Sequence, residues 1–209
     1  VTVTLNIDMD EKTLDDKVYE LEKLVEALDG EVVLNLTQNK SYIDKAYYVG
    51  RGKVDEIKEY CEKLEAEIVV FNNELTGSQV KNLEEVIGVR VIDRTNLILD
   101  IFSERARTKE AKLQVKLAKL KYTLPRLSAL RSGFSRQQGG IGGKGIGEQQ
   151  IELDRRTINR EISSITSQLK IYTRKLLDER EILDKEKKLK KIEMRLEKKE
   201  LILKIQLYH

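Results

Sequence analysis

The 209-residue chain has no tryptophan, one proline, one cysteine and one histidine, and each scarcity removes a class of chemistry. The lone cysteine, Cys61, excludes an internal disulfide. Its place in the helical run EIKEYCEKLE suits a small buried thiol and fits a reducing cytosol. The only histidine is the last residue, His209, so histidine acid–base catalysis and histidine-ligated metal sites have no residues to carry them. No apolar run reaches membrane length and no signal peptide opens the chain, so no membrane span and a cytoplasmic location are expected. A further absence is local. Between Ala111 and Gly147 there is no acidic residue, while Lys112, Lys116, Lys119, Lys121, Arg126, Arg131, Arg136 and Lys144 are all basic.

That gap is part of a wider asymmetry. Residues 1–100 carry 12 Lys and Arg against 22 Asp and Glu, a net of −10, and residues 101–209 carry 27 against 14, a net of +13. Halves of opposite sign suit two regions with different partners. A solvated helix face normally mixes signs, whereas a one-signed basic stripe is the electrostatic footprint of phosphate binding. Nucleic acid is therefore the expected partner of the second half.

In the first half, apolar strand-like runs alternate with amphipathic ones. Val1–Ile7 reads as a strand, and Thr13 with Asp16 as the start of a helix whose buried face is Val18, Leu21, Leu24, Val25 and Leu28, ending at Gly30. Strands are expected at Glu31–Leu36, Tyr47–Val49, Ile68–Phe71 and Val89–Ile92, with a helix over about Val54–Leu64. In ELTGSQVKNLEEV, Thr76 and Gln79 have the spacing of a capping box. The alternation predicts an α/β domain over 1–95, with a small, mainly parallel sheet of four or five strands and flanking helices.

The second half, 96–209, reads as helical. Leu113, Leu117, Leu120, Leu124 and Leu127 form one apolar seam, and Ile158, Ile162, Ile165, Leu169, Tyr172 and Leu176 form another. The first helix runs from Thr108 to about Leu130 and should kink or end at Pro125. The second runs from about Glu148 towards Ile205. Between them lies GGIGGKGIG, residues 139–147, six glycines in nine residues, which should interrupt both helices. A long two-helix coiled-coil hairpin with a glycine-rich tip is the expected architecture. Beyond about Leu183 the second helix has no hairpin partner.

The candidate binding residues follow from charge and from close backbone approach. They are Arg126, Arg131, Arg136, Gly139, Gly140, Gly142, Gly143, Lys144, Gly145, Gly147, Arg155 and Arg156, in which cations neutralise phosphates and glycines let the backbone approach bases or sugars. Gly140-x-Gly142-x-x-Gly145 matches the dinucleotide fingerprint, but a basic helical segment precedes it where the fingerprint needs a strand. Glu148, Glu152 and Asp154 read as acids complementing a helix N-terminus rather than as a catalytic pair. Gly50, Arg51, Gly52 and Lys53 form either an anion-binding turn ahead of a helix or an ordinary strand-to-helix turn. No catalytic residue and no metal ligand set stands out.

Four blocks are recognisable together: VGRGKVDEI (49–57), FNNELTGSQVKNLE (71–84), VIDRTNLILDIFSERARTKEAKLQVKLAKLKYTLPRL (91–127) and GGIGGKGIGEQQIELDRR (139–156). In order and spacing they closely resemble the HflX-type ribosome-associated GTPases. The resemblance implies an α/β N-terminal domain, a two-helix subdomain and then a GTPase domain using GTP and Mg²⁺. It implies the large ribosomal subunit and its rRNA as partners, in splitting or rescue of stalled ribosomes, and ATP as a ligand of the N-terminal domain. The glycine loop departs from the family pattern, with Gly143 for Thr, Lys144 for Arg and Ile146 for Pro, and Gly77 stands where proline is frequent. No GxxxxGK[S/T] phosphate loop occurs, so the GTPase domain is expected to be missing from this chain, which would then neither hold nor hydrolyse GTP. An RNA-docking monomer is the leading expectation. An ATP-binding domain with a regulatory hairpin and a coiled-coil dimerisation module are the alternatives.

Overall fold

A computed structural model describes residues 1–127 and 143–207, with side chains described for 1–127 and 151–195. The chain divides into two compact units, Val1–Ser163 and Ser164–His209.

The first unit opens with four parallel strands, β1 (Thr2–Asn6), β2 (Asn35–Asn39), β3 (Ile68–Phe71) and β4 (Arg90–Asp93), in the order β2-β1-β3-β4. Helices α1 (Glu11–Glu26), α2 (Arg51–Lys63), α3 (Gly77–Ile87) and α4 (Arg94–Arg105) cover its two faces. Alternation along the strands decides which residue faces which layer. Val69, Phe71 and Val91 pack with Val54, Ile57, Cys61, Leu83 and Ile87 from α2 and α3. Val70 and Ile92, one residue out of phase, pack with Leu21 of α1 and Leu97 and Ile101 of α4. Helix α4 therefore completes the second layer, and the packing passes over the expected boundary at residue 95. Cys61 is buried as expected, and burial pushes its thiol pKa up.

Several local expectations are corrected. The first helix starts at Glu11 because Asp10, not Thr13, takes the cap, accepting from Thr13 N at 2.7 Å. The edge strand β2 is Asn35–Asn39, and Val33 of the predicted strand is exposed. Tyr47–Val49 is not a strand. The Asp44 side chain accepts from the N–H groups of Ala46 and Tyr47, closing a turn that carries Tyr48 at φ 69°. The capping box of α3 is present, with Thr76 and Gln79 reciprocally bonded, and Gly88 ends the helix at φ 85°.

Helix α5 (Lys109–Thr123) is capped by Thr108 and gives way at Pro125 to a 3₁₀ turn, Leu124–Arg126. Helix α6 spans Gly143–Leu207, so it includes Gly143, Gly145 and Gly147, which the sequence pattern had assigned to a non-helical tip. Each glycine costs up to about 1 kcal/mol relative to alanine. A helix already nucleated over many residues can propagate through them at that cost. The rest of the tip, 139–142, lies outside the described residues. On α5 the seam residues Leu113, Leu117 and Leu120 are half-buried, as are Ile158 and Ile162 on α6. In the second unit Ile165 is buried, Leu169 and Tyr172 are half-buried, and every residue from Thr173 to Arg195 is exposed.

Candidate nucleic-acid interface

Helix α5 is the described part of the basic stretch, and its lysines divide into two groups. Lys116 pairs with Glu161 of α6 at 2.5 Å, and Lys119 pairs with Asp100 of α4 at 2.8 Å. Lys112 and Lys121 are exposed and make no ion pair among the described residues. The acids that neutralise half of this set lie outside the acid-free window, at residues 100 and 161, where a local count of charge misses them.

Arg126 is the main correction. Expected to meet phosphate, its side chain is only 11% exposed and is committed to the α/β layer. Its guanidinium donates to Glu74 at 2.7 Å, to the Leu75 carbonyl at 2.9 Å and to the Tyr122 carbonyl at 2.8 Å, and lies over the Tyr122 ring. Behind it is Asp93, the last residue of β4 and fully buried, 3.7 Å from the Arg126 guanidinium. The Asp93 carboxylate also accepts from Leu75 N at 3.0 Å and from Asn96 N at 2.8 Å, capping α4. The Tyr122 hydroxyl donates to it as well. Burial first, and then that bond, push the Tyr122 pKa far above its usual range.

This junction of Asp93, Tyr122, Arg126 and Glu74 was not expected. It ties the end of α5 to the carboxyl ends of β3 and β4, so the chain leaves the α/β layer at a fixed place. The one available signal was Asp93 followed three residues later by Asn96 at a strand-to-helix boundary, the pattern of a cap.

The remaining candidates are placed as follows. Arg155 is exposed, and Arg156 pairs along the helix with Glu152 at 3.0 Å. Arg131, Arg136, Gly139, Gly140 and Gly142 lie outside the described residues, and of Gly143, Lys144, Gly145 and Gly147 only the helical backbone is described. The Gly50–Lys53 turn forms the N-terminus of α2, with Gly50 as its cap. Its groups already have partners: Gly50 N donates to Gln38 at 2.8 Å, Arg51 meets Asp55 at 3.4 Å and Tyr47 at 2.8 Å, and Lys53 meets Glu56 at 2.7 Å. No cluster of metal-ligating side chains occurs among the described residues. Nor is any described helix long and apolar enough to cross a membrane.

Comparison with known proteins agrees with this layout. The family model "GTP-binding GTPase N-terminal" matches residues 15–103, and "GTP-binding GTPase Middle Region" matches residues 105–186. The chain belongs to the HflX family. It is 51% identical over 160 residues to GTPase HflX of Caldanaerobacter subterraneus, covering 77% of this chain and 36% of that protein. It is 46% identical over 169 residues to GTPase HflX of Alkalihalophilus pseudofirmus, covering 81% and 40%, and 43% identical over 159 residues to that of Escherichia coli, covering 76% and 37%. The chain thus spans between a third and a half of the length of these HflX relatives. A GTP-binding protein of Sulfolobus solfataricus, crystallised with GDP, shares the fold with a TM-score of 0.55 at 22% identity, over 82% of this chain and 45% of that one.

Proposed function

We propose that this HflX-family chain is a docking module for the large ribosomal subunit, with the segment between α5 and α6 meeting ribosomal RNA. The observation that carries the reading is the acid-free stretch from Ala111 to Gly147, which holds eight cations. Part of that charge is spent inside the fold. Lys112 and Lys121 make no ion pair among the described residues, and on this proposal they meet phosphate together with Arg131, Arg136 and Lys144, with Arg155 and Arg156 extending the field on α6. Lys144 lies between Gly143 and Gly145, and residues without a Cβ allow close approach of the backbone.

The junction at Asp93 gives this surface a firm base on the α/β layer. GTP binding and hydrolysis belong, on this proposal, to the part of the HflX relatives that this chain does not span, since no phosphate loop occurs here. ATP at the Gly50–Lys53 turn is the weaker reading, because the cations there are already paired with Asp55 and Glu56. Co-sedimentation with purified large subunits tests the proposal: the chain should pellet with them, and deletion of 139–147 should weaken pelleting severalfold. A chain that stays in the supernatant at low salt would overturn it.

A further inference from the structure

The second unit presents exposed apolar side chains that nothing above uses. From Thr173 to Arg195 all side chains of α6 are exposed, and Leu176, Ile182, Leu183, Leu189, Ile192 and Met194 are each at least half exposed. Six large apolar side chains in water on one bare helix are a poor resting state, since helices of this kind take most of their stability from packing an apolar face. The charge along the same segment is divided by sign. Residues 178–186 hold five acids and two bases, and residues 187–199 hold seven bases and two acids. Only one ion pair, Glu181–Lys185 at 4.0 Å, forms among the described residues of 173–195. The other charges of that segment make no ion pair among the described residues and are free to meet a partner.

We propose that this segment binds a second copy of the chain, with the two α6 segments lying antiparallel about a twofold axis near residues 185–186. Charge chooses both occupant and direction. A parallel pair would set 178–186 against its own acidic copy and the lysine run against itself. An antiparallel pair sets the acidic segment of each copy against Lys187, Lys188, Lys190 and Lys191 of the other, and like charges facing each other are disfavoured. In the register that places Ile182 opposite Leu189 of the second copy, that apolar contact forms twice, as an isologous interface requires. The proposal does not depend on the RNA reading.

Sedimentation equilibrium of the whole chain at micromolar concentration tests it. A monomer–dimer equilibrium is expected that weakens as salt rises. Replacing Lys187, Lys188, Lys190 and Lys191 together by Glu should raise the dissociation constant at least about tenfold. Direction is read by disulfide trapping, with Cys61 buried and out of reach. Ile182→Cys mixed with Leu189→Cys should cross-link across the pair. Ile182→Cys alone should not, because seven residues of helix separate the two sites by about 10 Å, more than a disulfide spans. Three results would each overturn the proposal: a monomer at all concentrations, a dimer that cross-links through like positions, or a monomer that uses these lysines to hold a polyuridylate RNA.

Discussion

The guanidinium carbon of Arg126 lies 3.7 Å from the centre of the Tyr122 ring, and both side chains close over the buried carboxylate of Asp93. Stacking and charge act together here. The ring shields the ion pair from water, and the guanidinium offsets a carboxylate that would otherwise sit unneutralised at the end of β4. The arrangement makes Arg126 a structural residue within a basic stretch otherwise read as RNA-facing.

Arg126→Ala should accordingly cost stability rather than RNA contacts. Removing one partner of a buried, hydrogen-bonded charge is expected to destabilise the first unit by about 2–4 kcal/mol. Urea denaturation reads that loss, while the salt dependence of large-subunit binding by the folded variant should be unchanged. Unaltered stability with a slope reduced by about one would return Arg126 to the phosphate contacts.

Alkaline pH gives a second test. The folded protein holds Tyr122, and by burial alone Tyr48, with pKa values above the unfolded value near 10. The unfolded chain then loses these protons first as pH rises. The stability they contribute is whole below about pH 10 and declines above it, through the folded pKa values. Tyr122→Phe should flatten the decline in stability between about pH 10 and 12, and tyrosinate absorbance should lose a late-ionising component. An identical alkaline profile in the variant would contradict the buried bond to Asp93.

The distal helix yields a third. Amides from Thr173 to Arg195 should exchange much faster than those of Ile158–Ile165 when the chain is dilute, because their side chains bury nothing. Protection should rise with concentration if the second copy covers them. Equal protection of both segments in a dilute sample would mean that another surface holds the distal helix.

Sequence pattern revealed the elements best where the cause was local. Thr76 and Gln79 showed the cap of α3, Pro125 the end of α5, and the strand–helix alternation a parallel sheet. Local pattern failed where two local signals competed, as when Asp10 took the cap from Thr13 and Asp44 turned the Tyr47–Val49 run away from a strand. It also failed at Gly143–Gly147, where a long helix continues through residues of poor propensity. The binding surface was legible as a sum of charge but not as individual roles. Arg126 finds its acids 52 and 33 positions back in the chain, and Lys116 and Lys119 find theirs at Glu161 and Asp100, separations that no window of neighbouring residues contains.

The most direct test of the docking account is the salt dependence of large-subunit binding for the parent chain and for Arg131, Arg136 and Lys144 replaced together by Ala. Each phosphate contact contributes about 0.7–0.9 to the slope of log affinity against log salt. The account predicts weaker binding and a slope smaller by about two to three in the triple variant. Unchanged affinity and slope would contradict it, and the basic stretch between α5 and α6 would then not be where this chain meets RNA.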